Sequence, residues 1–367
     1  MLLKEQSVNE NIDIRLAEKA LMFYTEEAQE LNDLIKNNFY KLVEVEFIKL
    51  IDNYPDVKKY FNELSNAEQK SLIKAPEVLS MLFVPDETLS NININYFLLR
   101  LIETERAKKT GAFDVEKFGE SLWSADGSFM ISYDNDTRSF STFEHPTLSN
   151  TTIPQDFFSH FNLINSKDKD HYSSEGLEPK LYSFEEADLV ANKMNRVFDK
   201  LDECFKNFIH TYTNVLMLKK TRNEKLFTSG TDSRHINRVI ITNAHTVEDE
   251  VIADAMVHEA IHGTLTIIDI FNEWQPSRKV SKAFGRKIYS PWTNNLLTIR
   301  NLVQAIYVWY GLYNFWKTKP INLSKKYAEE RVTFIENGFN KLDINPYKNI
   351  INSTTFRELT LIKNKFI

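Results

Sequence analysis

His258, Glu259 and His262 stand in the stretch "VHEAIH", where two imidazoles lie four residues apart and a carboxylate follows the first. On a helix, positions i and i+4 sit one above the other on one face. Both imidazoles can therefore reach a single metal ion, with Glu259 beside it. A metal held in this way activates a water, and the glutamate then serves as general base. By chance the string turns up in about one chain of this length in a hundred, so the flanks must carry the reading. They read "EVIADAM" and "GTLTIIDIF", apolar and free of proline, as in a helix buried within a domain. Two histidines and a glutamate are costly to bury on such a helix without a partner. The bland alternative is a pair of satisfied histidines on a polar helix face.

A metal site needs further donors. The remaining histidines, His145, His160, His171, His210, His235 and His245, all lie upstream and show no diagnostic spacing. Asp269 shares the helix face but stands seven residues past His262, about 10 Å along the axis, too far for the same ion. Glu273 follows His262 too closely to be the second-helix carboxylate of a zinc peptidase. Leu265 occupies the position where an HExxHxxGxxH signature requires glycine, which excludes that class.

The elements that must position these groups are mostly helices. Only 9 glycines and 10 prolines interrupt 367 residues, and 26 Phe with 15 Tyr supply a sizeable core. Apolar residues keep helical spacing from Leu16 to Asp52, within a helical region spanning 1–110. The boxes Ser65-x-x-Glu68, Ser183-x-x-Glu186 and Thr355-x-x-Glu358, with Thr246-x-x-Asp249 and Ser324, mark helix starts, and Pro76 breaks the second segment. Segment 111–180 has a different texture. Asp126-Gly127 between short apolar runs predicts a hairpin, and the balanced run "KDKD" at 167–170 reads as a solvated loop. A third segment, 181–367, opens with a helical stretch to about Lys220, then a polar loop and the strand "RVIIT" at 238–242, before the metal helix. The expected fold is mainly α with small β elements, the HExxH helix packed against a second apolar helix at 301–316.

Composition removes some functions. Hydrophobic residues at 42% and charged residues at 26% are ordinary for a globular protein. A net charge of −6 without a basic stripe argues against a nucleic-acid partner. The window 301–316 is too short and polar to span a membrane, and the first residues lack a signal-peptide core, so the expectation is a cytoplasmic protein without a membrane partner. Cys204, the sole cysteine, excludes an intramolecular disulfide.

Both flanks of the metal helix carry a resemblance. "LFTSGTDSRHINRVIITNAH", "VHEAIHGTLTIIDIF" and "YSPWTNNLLTIRNLVQAIYVWYGLYNFW" together resemble the HExxH-motif peptide-modification proteins associated with ribosomally made peptides, over about 225–317. Members of that family are understood to be Fe(II)- and 2-oxoglutarate-dependent peptide β-hydroxylases. The resemblance implies iron held by His258 and His262, with Glu259 positioning a neighbouring group. It also implies 2-oxoglutarate as cofactor and a peptide substrate, a leader-bearing precursor being the natural form. The family's third ligand, a histidine, aligns with Gln304, a weak neutral donor. Basic residues that the family carries after its Pro-Trp pair are replaced here by Thr293, Leu297 and Thr298. Arg300, four residues before Gln304, shares its helix face and could supply a fork for a carboxylate; its plain alternative is an ion pair at a helix boundary. Trp292, Tyr307 and Trp309 could line a pocket, or could simply be core. Two other readings compete: a zinc metallopeptidase with Glu259 as general base, and a non-catalytic relative that binds peptide.

Overall fold

The computed structural model describes residues 12–84, 93–124, 126–159, 178–231, 236–320 and 322–366. His160, His171, His235 and the run 167–170 lie outside the described residues. Up to residue 118 the described elements are helices: α1 (Ala17–Ala20), α2 (Glu26–Ile51), α3 (Pro55–Glu63), α4 (Asn66–Ile73), α5 (Pro76–Phe83), α6 (Ile94–Thr110) and α7 (Val115–Phe118). Five strands follow, β1 (Ser121–Trp123), β2 (Phe129–Asp134), β3 (Ser139–Glu144), β4 (Gln155–Asp156) and β5 (Pro179–Lys180). Next come α8 (Phe184–Asp199), α9 (Glu203–Tyr212), β6 (Val215–Thr221), β7 (Thr228–Thr231) and β8 (Arg238–Thr242). The last part holds α10 (Asp249–Phe271), α11 (Arg278–Phe284), β9 (Ile288–Tyr289), β10 (Leu296–Leu297), α12 (Ile299–Lys317), α13 (Lys325–Lys341) and α14 (Ser353–Asn364). Helix makes up 59% and strand 13%, so the fold is mainly α with small β elements, as expected.

Most of the predicted stops and starts hold. Ser65 and Glu68 close a reciprocal capping box on α4, and Pro76 opens α5 at its first turn. Ser183 and Glu186 exchange hydrogen bonds of 2.9 and 3.2 Å at the start of α8. Ser324 caps α13, accepting from the Tyr327 amide at 3.3 Å. Four readings are corrected. The stretch to Lys220 is not one helix: it breaks between α8 and α9 and ends as strand β6, because "VLML" is buried between two parallel partners. The polar loop before "RVIIT" includes an edge strand, β7, whose threonines suit antiparallel pairing with β8. Thr355 does not cap α14. Asn352 accepts its amide at 2.8 Å, while the Thr355 hydroxyl donates to the Trp274 carbonyl. Thr246 likewise turns its hydroxyl onto the Asn243 carbonyl rather than onto α10.

The chain divides into two compact units. One comprises Tyr40–Arg196 with Thr213–Glu248. Here β1, β2 and β3 form an antiparallel sheet whose inner residues Leu122, Phe129 and Ile131 pack with Phe113 and Phe118. A second sheet runs β4-β6-β8-β7, with β5 also pairing to β6. His145 is a structural residue there: its Nδ1 lies against the Gly127 carbonyl, and its Nε2 accepts the Phe157 and Phe158 amides, both at 3.1 Å. Asn243, with a left-handed φ of 57°, closes the loop after β8 by binding Thr221 and the Leu226 carbonyl.

The other unit comprises Met1–Phe39, Val197–Tyr212 and Asp249–Ile367, and holds the HExxH helix. Its centre is α10 packed on α12, with α13 packed on α12 in turn. Helix α10 is long and apolar enough to cross a membrane, but 78% of that apolar window is buried inside the fold. Its hydrophobicity serves a protein core. Glycine permits the closest approaches: a Cβ at Gly311 on α12 would stand 2.5 Å from Ile261 Cδ1 on α10. A Cβ at Gly338 on α13 would overlap the indole of Trp292, which is buried and donates to the Ile335 carbonyl at 3.1 Å. The flat ring cannot bend away as a methyl terminus can. Gly338→Ala should therefore show a net destabilisation of about 1–2 kcal/mol, overpacking outweighing the helix propensity gained. A lowered urea midpoint checks this; an unchanged or raised midpoint would show that the indole relocates freely.

Candidate metal centre

Helix α10 places His258 and His262 with their Nε2 atoms 3.2 Å apart. Glu259, almost fully buried, brings Oε1 to 3.9 Å from His258 Nε2. One ligand atom from each of the three residues lies within 4.8 Å of the other two. Donors bound side by side to one ion with bonds near 2.1 Å stand roughly 3 Å apart, so the imidazole pair has the spacing of two neighbouring ligands. No other group of three or more His, Cys, Asp or Glu side chains converges in this way among the described residues.

The electrostatics fit a ligand. Burial, helped by the neighbouring His258, pushes the His262 imidazole down to about 4. It stays neutral at physiological pH, the form that binds a metal. The same shift makes a stability prediction for the metal-free chain. In the unfolded chain this histidine takes its proton near pH 6.5, whereas the folded chain resists until about 4. Stability is thus fully present above pH 6.5 and falls as pH drops towards 4, by about 3 kcal/mol at the lower end. Urea titrations between pH 7 and 4 in the presence of chelator should show this loss, and His262→Gln should flatten the profile. An equal acid loss in the variant would assign it to other groups.

Two ties set α10 against α12. At one end Arg300 Nη2 donates to Asp269 Oδ2 at 2.8 Å, with Nη1 on the Pro276 carbonyl at 3.2 Å. At the other, Trp316 Nε1 donates to Asp254 Oδ1 at 2.6 Å. The helices are therefore antiparallel, and Gln304, half-buried on α12, stands about level with Leu265, roughly one turn past His262. Arg300, offered by its spacing as a carboxylate fork, forms the helix-boundary ion pair instead, and Asp269 is its partner.

The wall beside His258 begins with Trp309 and Trp292, which the sequence offered as pocket lining or as core. Trp309 lies edge-on to the His258 ring, with centroids 6.5 Å apart and planes at 89°. Trp292 stacks on Trp309 at 5.7 Å, and Phe334 of α13 packs against it at 5.5 Å. Tyr307 belongs to the core, against Trp274. Arg331 of α13 lies 4.9 Å over the Trp309 ring and grips Asp254 in a fork, Nε to Oδ1 at 2.9 Å and Nη2 to Oδ2 at 2.7 Å. Asp254 had a signal in the sequence, since it stands one turn before His258 on the same face. Arg331 had none, because only the packing of α13 brings it there. No family model matches the chain, and no curated protein matches it.

Proposed function

We propose that this chain is a metal-dependent enzyme of the HExxH peptide-modification type, hydroxylating a side-chain β-carbon of a ribosomally made peptide with Fe(II) and 2-oxoglutarate. The observation that carries the reading is the convergence of His258, His262 and Glu259, a donor set of two imidazoles and one carboxylate. That set, with positions left for other ligands, is the arrangement favoured by non-haem iron oxygenases. Iron with 2-oxoglutarate supplies the oxidising power for the C–H bond when both are bound. The protein's part is to hold and exclude. His258 and His262 are the metal ligands, with Glu259 or Gln304 completing the set, and Trp309 keeps water from one side of His258. The substrate is a peptide, naturally a leader-bearing precursor, with neither nucleic acid nor membrane involved, and the setting is the cytoplasm.

The deciding experiment loads the purified chain with Fe(II) anaerobically and titrates 2-oxoglutarate by calorimetry. Saturable one-to-one binding that needs the metal is expected, and no binding would sink the oxygenase reading. A second reading, a zinc peptidase, draws on the same 3.9 Å placement of Glu259 beside His258, where a general base would stand. It predicts that Glu259→Gln abolishes peptide cleavage by the zinc-loaded chain. Cleavage at an undiminished rate would exclude that mechanism.

A further inference from the structure

We propose that the β9–β10 hairpin, with helix α11 beside it in the chain, is a docking surface for an acidic, partly apolar stretch of the peptide on which this chain acts. The inference rests on the reading of the chain as a peptide-modifying enzyme and adds the charge of the substrate and the place where it lies. The overall charge of −6 hides one local exception. No Asp or Glu occurs between Glu273 and Glu329, and within that span Arg278, Lys279, Lys282, Arg286 and Lys287 crowd into ten residues. All five are exposed. Among the described residues no ion pair forms on Lys279, Lys282, Arg286 or Lys287. Exposed like charges held this close in sequence repel one another, and an acidic partner relieves them.

The cations lead into an exposed apolar pair. Tyr289 and Leu296 face one another across the hairpin, 70% and 54% exposed, and Val280 of α11 is exposed as well. The Ser290 amide donates to the Asn295 carbonyl at 2.8 Å, so the next rung, Tyr289 with Leu296, is a non-hydrogen-bonded pair whose main-chain groups turn outward. Strand β9 pairs with β10 alone among the described strands. A peptide strand laid along this edge meets the outward groups, and its carboxylates meet the cations. Strand alternation puts Lys287 on the side of Tyr289, their Cα atoms about 7 Å apart, the spacing of alternate side chains on a bound strand. An anionic lipid surface fits less well, because it leaves outward amides and carbonyls without partners. A nucleic acid supplies charge but nothing to cover the aliphatic Val280 and Leu296. The position also suits the chemistry. Trp292, in the turn of the hairpin, stacks on Trp309, the neighbour of His258. Tyr289 stands three residues before it, so a peptide seated on Tyr289 reaches His258 within about seven extended residues.

The test measures, by fluorescence anisotropy, binding of the full chain to a labelled synthetic peptide that alternates glutamate with leucine, and to counterparts with serine or lysine in place of glutamate. The glutamate peptide should bind at least about tenfold more tightly than the serine peptide, and the lysine peptide should not bind. Arg286→Glu with Lys287→Glu should abolish that preference. Lys325→Glu with Lys326→Glu, an equal charge change elsewhere in the acid-free span, should leave it within about twofold. Tyr289→Ser with Leu296→Ser should weaken the glutamate peptide by about fivefold or more while keeping its advantage over the serine peptide. All six positions are exposed, so the thermal midpoints should not move. An equal loss in the two charge-reversed pairs assigns binding to the general field of the chain and overturns the surface. Tighter capture of oligothymidylate or of phosphatidylserine vesicles than of the glutamate peptide overturns the choice of a peptide. Either result leaves the oxygenase reading to the 2-oxoglutarate titration, and failure of that titration leaves a measured peptide surface in place.

Discussion

His258→Ala and His262→Ala should each strip the chain of tightly bound metal, from about one ion per chain to less than a tenth by elemental analysis. Removing even an outer residue that orients a ligand typically weakens metal binding by about 10–100-fold. Loss of one of two imidazoles whose nitrogens sit 3.2 Å apart should exceed that. The two variants differ in what else they do. His262 is neutral because burial holds it so, hence its removal leaves a small cavity but no stranded charge. His258 is partly exposed and lies against Trp309, so its loss should barely change the thermal midpoint of the metal-free chain. Full metal retention in both variants would show that the HExxH face is a pair of packed histidines and nothing more.

The second large effect is expected at Asp254. Its carboxylate accepts the Arg331 fork and the buried Trp316 indole, so one side chain of α10 ties together α12 and α13. Asp254→Ala leaves a mostly buried guanidinium and a buried N–H without their acceptor. Breaking a buried pair from one side costs about 3–5 kcal/mol, and the partial exposure of Arg331 argues for the lower end. Urea unfolding should report a loss of about 3 kcal/mol, and Asp254→Asn, which keeps one acceptor, should fall between. Because the tie sits one turn from His258, metal affinity should drop alongside stability. A variant as stable as the wild type would mean that water replaces the carboxylate with ease.

Local chemistry was readable where it depends on neighbours in the chain. The Ser65–Glu68 and Ser183–Glu186 boxes, Pro76 and the hairpin around Gly127 concern groups within a few residues, and such groups meet whatever the remainder of the fold does. The failures share one cause. "VLML" in β6 has no helix-breaking residue, and only its parallel neighbours β4 and β8 make it a strand. Thr355 has the chemistry of a cap but faces the Trp274 carbonyl, contributed from eighty residues upstream in round terms, so its role belongs to packing.

The candidate site divides along the same line. Sequence alone determined that His258 and His262 share a face with Asp254 beneath them, because a helix has a fixed repeat and those contacts are local. It also determined that α10 is a core helix, since it is largely apolar outside that face. Tertiary structure alone decided what each arginine holds. Spacing from Gln304 singles out Arg300 in the string of letters, and nothing there singles out Arg331. The antiparallel seating of α12 on α10 delivers Arg300 to Asp269, and the packing of α13 delivers Arg331 to Asp254 and Trp309. A guanidinium takes its function from the carboxylate and ring that hold it, and those partners are set by helix packing across long stretches of chain.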